Sequence, residues 1–106
     1  MKEHRLREEQ VVFFADHLRA EERAAATIEK YLRDIRSFVG WLNGETVTKE
    51  TVTQWKTALL AQVLAPATVN AKLSAVNGLF RFLGWEECRV KFLKVQKTEQ
   101  SVDGGQ

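Results

Sequence analysis

A chain of 106 residues, 44% hydrophobic and 28% charged, has the length and composition of one globular domain with a single core. No run approaches the roughly 18 apolar residues of a membrane span, and the N-terminus MKEHRLREEQ is charged where a secretory signal is apolar, so a cytoplasmic protein without a membrane partner is expected. The net charge of +2, from 16 Lys and Arg against 14 Asp and Glu, is too small to argue for nucleic acid by itself, which leaves the distribution of charge to decide.

Apolar periodicity and punctuation predict four helices and no strand. The first covers about Leu6 to Arg19, with Val11, Phe14, Ala15 and Leu18 on one side. In the second, about Thr27 to Asn43, Ile28, Tyr31, Leu32, Ile35, Phe38, Val39 and Leu42 fall within one arc. Asn43 and Gly44 end it, the glycine supplying a left-handed conformation. Glu29, Lys30, Arg33, Arg36 and Ser37 occupy the opposite arc, where Arg33 and Arg36 are placed to pair with Glu29.

The third helix is expected from Lys49 to Gln62, capped by Thr48, with Val52, Trp55, Leu59 and Val63 as its buried seam. Pro66 sits where proline fits best, in the first turn of a fourth helix that Gly84 stops. Val69, Leu73, Val76, Leu79, Phe80 and Leu83 share its core arc. Asn70, Ser74, Asn77 and Arg81, at spacings of four, three and four, form a polar stripe beside it. Gly78 lies in this helix interior, at a cost of about 1 kcal/mol relative to alanine that invites an explanation. Trp41 and Phe82, outside the main apolar arcs, are expected to pack on the C-terminal segment. That segment, WEECRVKFLKVQK, reads equally as alternating extended chain or a short helix, and carries Arg89, Lys91, Lys94 and Lys97 without an acid after Cys88. Residues 1–97 then form the helical domain, and residues 98–106, polar and rich in glycine, a flexible tail.

The supply of catalytic groups is thin. His4 and His17 read as surface residues, no glycine-rich phosphate loop is present, and Glu86 and Glu87 just before Cys88 raise its pKa. With one cysteine and no Cys/His ligand spacing, neither a metal nor another cofactor is expected. A helix-turn-helix is disfavoured because Leu59 and Val63 stand where close helix crossing needs small residues.

Three segments, ATIEKYLRDIRSFVGWL, VTKETVTQWKTALL and APATVNAKLSAVNGLFRFL, in that order resemble the N-terminal core-binding domain of tyrosine recombinases, the phage-integrase family. Thr27, Tyr31, Phe38, Trp41 and Leu42 match its first pattern. Ala65, Pro66, Thr68, Leu73, Ser74, Ala75, Phe80 and Phe82 match a later one, and the likeness spans about residues 6 to 97. The resemblance implies an all-α, four-helix SAM-like bundle with a basic C-terminal extension. In the family this domain forms half of a C-shaped clamp on duplex DNA, while a separate C-terminal domain supplies the catalytic Arg, Lys, His and Tyr set, which is not found in this sequence; Tyr31 matches a core tyrosine, not the nucleophile.

The implied partners are duplex DNA, a C-terminal catalytic domain and other recombinase protomers. Carried onto this chain, the implied DNA contacts are Thr27, Lys30, Arg33 and Arg36 on the second helix, Thr68, Asn70, Lys72, Ser74, Asn77 and Arg81 on the fourth, and Arg89, Lys91 and Lys94 in the segment matching the family's linker. Asn77 and Gly78 stand where many relatives carry cations. A helical protein-interaction module built on the same fold is the second expectation.

Overall fold

A computed structural model describes residues 4–94, so the expected boundary at Lys97 and the tail 98–106 lie outside the described residues. Four helices make up the domain: α1 Glu8–Ala20, α2 Ala25–Leu42, α3 Lys49–Leu60 and α4 Pro66–Leu83, followed by a single 3-10 turn at Glu86–Cys88. Among the described residues the only β pairing is one antiparallel bridge, His4 with Val47. The all-α four-helix expectation holds.

Several helix ends have a local cause. The Arg7 amide donates to Gln10 Oε1 at 2.7 Å at the start of α1, and Glu8 and Glu9 place negative charge on that helix's positive end. Asn43 and Gly44 take successive left-handed conformations, φ 51° and 86°, which stops α2 as expected. Thr48 Oγ1 accepts the Thr51 amide at 3.1 Å, the predicted cap of α3. Ala65 precedes Pro66 at the start of α4 and offers no cap hydrogen bond, and Gly84, at φ 79°, closes that helix.

α4 is the central element. Val69, Leu73, Ala75, Val76, Leu79 and Phe80 are all buried along it. Phe80 and Trp55 both meet Phe38 edge-on, with ring centroids 6.0 and 4.9 Å away, so α2, α3 and α4 join through three aromatic rings. Val11, Phe14 and Leu18 add the α1 side.

Several expectations are corrected. α3 ends at Leu60, and Val63 is fully exposed, not part of the seam. The chain has already turned there, with the Gln62 amide on Leu59 O and the Leu64 amide on Gln62 O, so Leu64 packs against the core instead. Trp41 lies against Phe38. Phe82 lies against Phe14 and His17, and it also borders the same open space as Val90 and Phe92 of the C-terminal segment. Arg36 pairs with Glu8 of α1 at 3.0 Å and not with Glu29. The ambiguous segment resolves into the 3-10 turn and an extended stretch from Arg89 to Lys94.

Asp34 was not anticipated in the core. It is 5% exposed and pairs with Lys72 Nζ at 3.2 Å, joining α2 to α4. Its position, three residues after Tyr31 and four before Phe38, places it on the apolar arc.

Two substitutions test this architecture by thermal unfolding. Ala65→Ser supplies the missing cap and should stabilise by about 1 kcal/mol, raising Tm by about 4–8 °C. Phe80→Ala, at a site with no exposure, should cost about 3–5 kcal/mol. An unchanged melting temperature for Ala65→Ser would mean that the α4 start is capped in another way.

Candidate nucleic-acid interface

Among the described residues no strand lies beside the extended stretch Arg89–Lys94, so its peptide groups need partners elsewhere. α4 supplies them in two matched pairs. Asn77 Nδ2 donates to Val90 O at 2.8 Å while the Val90 amide donates to Asn77 Oδ1 at 3.1 Å. One step further, Asn70 Nδ2 donates to Leu93 O at 3.0 Å and the Leu93 amide to Asn70 Oδ1 at 2.7 Å.

The spacing follows from geometry. Seven residues of helix rise about 10.5 Å, and three residues of extended chain span about 10 Å, so asparagines two turns apart meet peptide groups three residues apart. The stretch therefore runs antiparallel to α4 as a strap. From α3, Lys49 Nζ donates to Arg89 O at 3.0 Å and Lys56 Nζ to Lys91 O at 2.6 Å, again from positions seven apart. Val90 is buried and Leu93 half-buried, whereas Lys91, Phe92 and Lys94 point outward.

Between the strap and the α1–α2 corner lies an open groove of about 680 Å³. α4 lines it with Ser74, Asn77, Gly78 and Arg81, the corner with Phe14, His17, Glu21, Arg23 and Tyr31, and the C-terminal segment with Glu86 and Arg89 to Phe92. Four cationic side chains, Arg23, Arg81, Arg89 and Lys91, outnumber two carboxylates, Glu21 and Glu86, so the groove concentrates positive charge that the chain's overall balance conceals. Arg23 pairs with Glu21 at 3.3 Å. Arg89 Nε lies 3.0 Å from Glu86 Oε1 as an ion pair, but its N–H is not aligned for a hydrogen bond. Arg81 and Lys91 have no ion pair among the described residues.

The phage integrase N-terminal SAM-like domain family matches residues 11–87. The chain belongs to this family. It is a recombinase-related domain, and the match is narrower at both ends than the span read from its motifs. No curated protein and no solved structure matches the chain. No helix among the described residues is long and apolar enough to cross a membrane.

Within this SAM-like domain the expected contact residues separate into groups. Ser74, Asn77, Arg81, Arg89 and Lys91 come together around the groove. Thr27, Lys30 and Arg33 are exposed on α2, and Lys30 and Arg33 carry no ion pair among the described residues. Thr27 and Arg36 are nine residues apart, two and a half turns, so they point in roughly opposite directions; Arg36 leans on α1. Thr68 is exposed in the first turn of α4, and Lys94 is exposed on the strap. Lys72 is committed to the buried Asp34, and Asn70 to the strap. Asn77 spends both amide groups on Val90, so it borders the groove as a structural clip.

Four participants escaped sequence reading: Arg23 and His17 at the groove, and Lys49 and Lys56 on the strap. The seven-residue spacing that Lys49 and Lys56 share with Asn70 and Asn77 is a signal for the two lysines; Arg23 and His17 carry none. Cys88 is fully buried, and burial, with Glu87 adding to it and Lys49 opposing, pushes its thiol up to about 11. At neutral pH this favours the protonated thiol.

The clips predict a measurable local effect. Asn77→Ala removes two hydrogen bonds worth together about 1–3 kcal/mol, so hydrogen exchange at the Val90 amide should accelerate about 10- to 100-fold while α2 protection stays unchanged. Asn77→Asp, which keeps the acceptor but loses the donor, should fall between.

Proposed function

We propose that this domain holds duplex DNA by its phosphate backbone, as one half of a recombinase clamp whose chemistry resides in a separate catalytic domain. The observation that carries the reading is the cationic groove over α4, in a chain of the integrase SAM-like family. Arg81 and Lys91 are placed to approach phosphate oxygens, with Lys30 and Arg33 on the exposed face of α2 extending the contact. Binding of this kind draws its affinity from counterion release, and the Ser74 hydroxyl is suited to fix register by hydrogen bonding. Asn70 and Asn77 take a different role from the one their resemblance implies: they fix the strap, and with it Arg89 and Lys91, along one side of the groove.

Gly78 gains an explanation on this reading. A Cβ there would meet only Phe14 Cζ, at 3.6 Å, an ordinary packing distance, so the fold itself does not require glycine. What the missing side chain leaves open is the groove.

The scarcity of cations at positions 77 and 78 makes the expected affinity weak. A second reading, a protein-interaction module, draws on Val12 and Phe13, adjacent on α1 and 44% and 58% exposed.

Backbone amide shifts followed during titration with duplex DNA, at about 50 mM and about 200 mM salt, separate the two. Weak binding that fades at the higher salt and maps to the groove and α2 is the expected result. The absence of shifts at the lower salt with high micromolar DNA would leave only the interaction module. Gly78→Ala should stabilise the fold by up to about 1 kcal/mol yet weaken DNA binding, an opposition that a purely structural glycine does not produce.

A further inference from the structure

The fold brings together a cluster that local sequence spacing conceals. His4 Nε2, a Glu87 carboxylate oxygen and Cys88 Sγ all lie within 4.8 Å of one another, although 83 residues separate His4 from Glu87. None of the three lines the groove. We propose that they form a binding site for a zinc ion.

Each ligand carrier is held in place before any ion arrives. His4 exchanges two backbone hydrogen bonds with Val47, at 3.3 and 2.6 Å, and its ring stacks on Trp85 with centroids 4.3 Å apart and planes 10° from parallel. The Cys88 amide donates to Trp85 O at 3.0 Å, fixing the 3-10 turn that presents Glu87 and Cys88. Trp85 thus organises both halves of the cluster.

The donor set decides the kind of ion. One imidazole, one carboxylate and one thiolate suit zinc, whereas magnesium and calcium favour oxygen donors alone. Tetrahedral zinc with bonds of about 2.0–2.3 Å places its donor atoms about 3.3–3.6 Å apart. The closure needed is therefore about 1 Å: the 2.7 Å contact between His4 and Glu87 opens as the ion enters, and Cys88 Sγ draws in from its weak contact with Val47 O at 3.8 Å. Binding replaces the S–H bond with an S–Zn bond and releases that proton to solvent, with water completing the fourth position. The expectation of no metal rested on spacing along the chain, which is blind to ligands drawn from positions 83 residues apart.

The ion would tie the N-terminal segment to the root of the strap. Cobalt, which takes the same geometry and is coloured, provides the test on the full chain after chelator treatment. One equivalent of Co²⁺ should produce an intense near-ultraviolet thiolate-to-cobalt band, and one equivalent of Zn²⁺ should remove it. Cys88→Ser should abolish the band, and His4→Ala and Glu87→Gln should each weaken affinity by about tenfold or more, with far-ultraviolet circular dichroism confirming the fold. Should Cys88→Ser fail to fold, the other two variants decide, since Glu87 is exposed. No band at millimolar Co²⁺, or undiminished affinity in both His4→Ala and Glu87→Gln, overturns the proposal.

Discussion

Among the described residues the extended strap must satisfy its peptide groups without a neighbouring strand, and much of the surface organisation of this domain follows from how it does so. Asn70 and Asn77 each return a donor and an acceptor to one residue of the strap, and Lys49 and Lys56 take further carbonyls from the other side. An asparagine amide reproduces the donor and acceptor of a peptide group, so α4 acts toward the strap much as a β-strand edge acts toward its neighbour. Because the strap is held, the main chain at Arg89 and Lys91 is held, and the groove has a second side.

The same arrangement resolves an electrostatic puzzle. A net charge of +2 on 106 residues gives little reason to expect an anionic partner, yet charges act through position. The Glu8–Arg36 and Asp34–Lys72 pairs each cancel one acid against one base away from the groove, so the charge of the groove is set by its own lining. Arg81 and Lys91 remain without ion pairs among the described residues and share one groove.

The helices were legible because their signals are local. The apolar arc of Ile28, Ile35, Phe38 and Leu42, the Thr48 cap, and the Pro66 and Gly84 boundaries each depend on neighbours a few residues away. Val63 was misread because periodicity continues through a turn that hydrogen bonding has already made. The polar stripe of α4 was also visible, but its partner was not: Asn77 and Val90 are brought together by the turn at Glu86–Cys88, and the extended form of the strap has no periodic signature strong enough to declare itself. His4 and Cys88 were hidden by greater separation still. What pattern reading misses in this chain is chiefly the pairing of its polar groups across long stretches of sequence.

The strap is gripped through its main chain, with Val90 and Leu93 as its inward side chains. Lys91, Phe92 and Lys94 contribute little to holding it. Substitution at these three positions can therefore redraw the charge and shape of the groove's rim while the seat beneath stays intact. The main chain thus carries the attachment and the outward side chains carry the surface, so the seat of the strap and the character of the rim are set by different atoms.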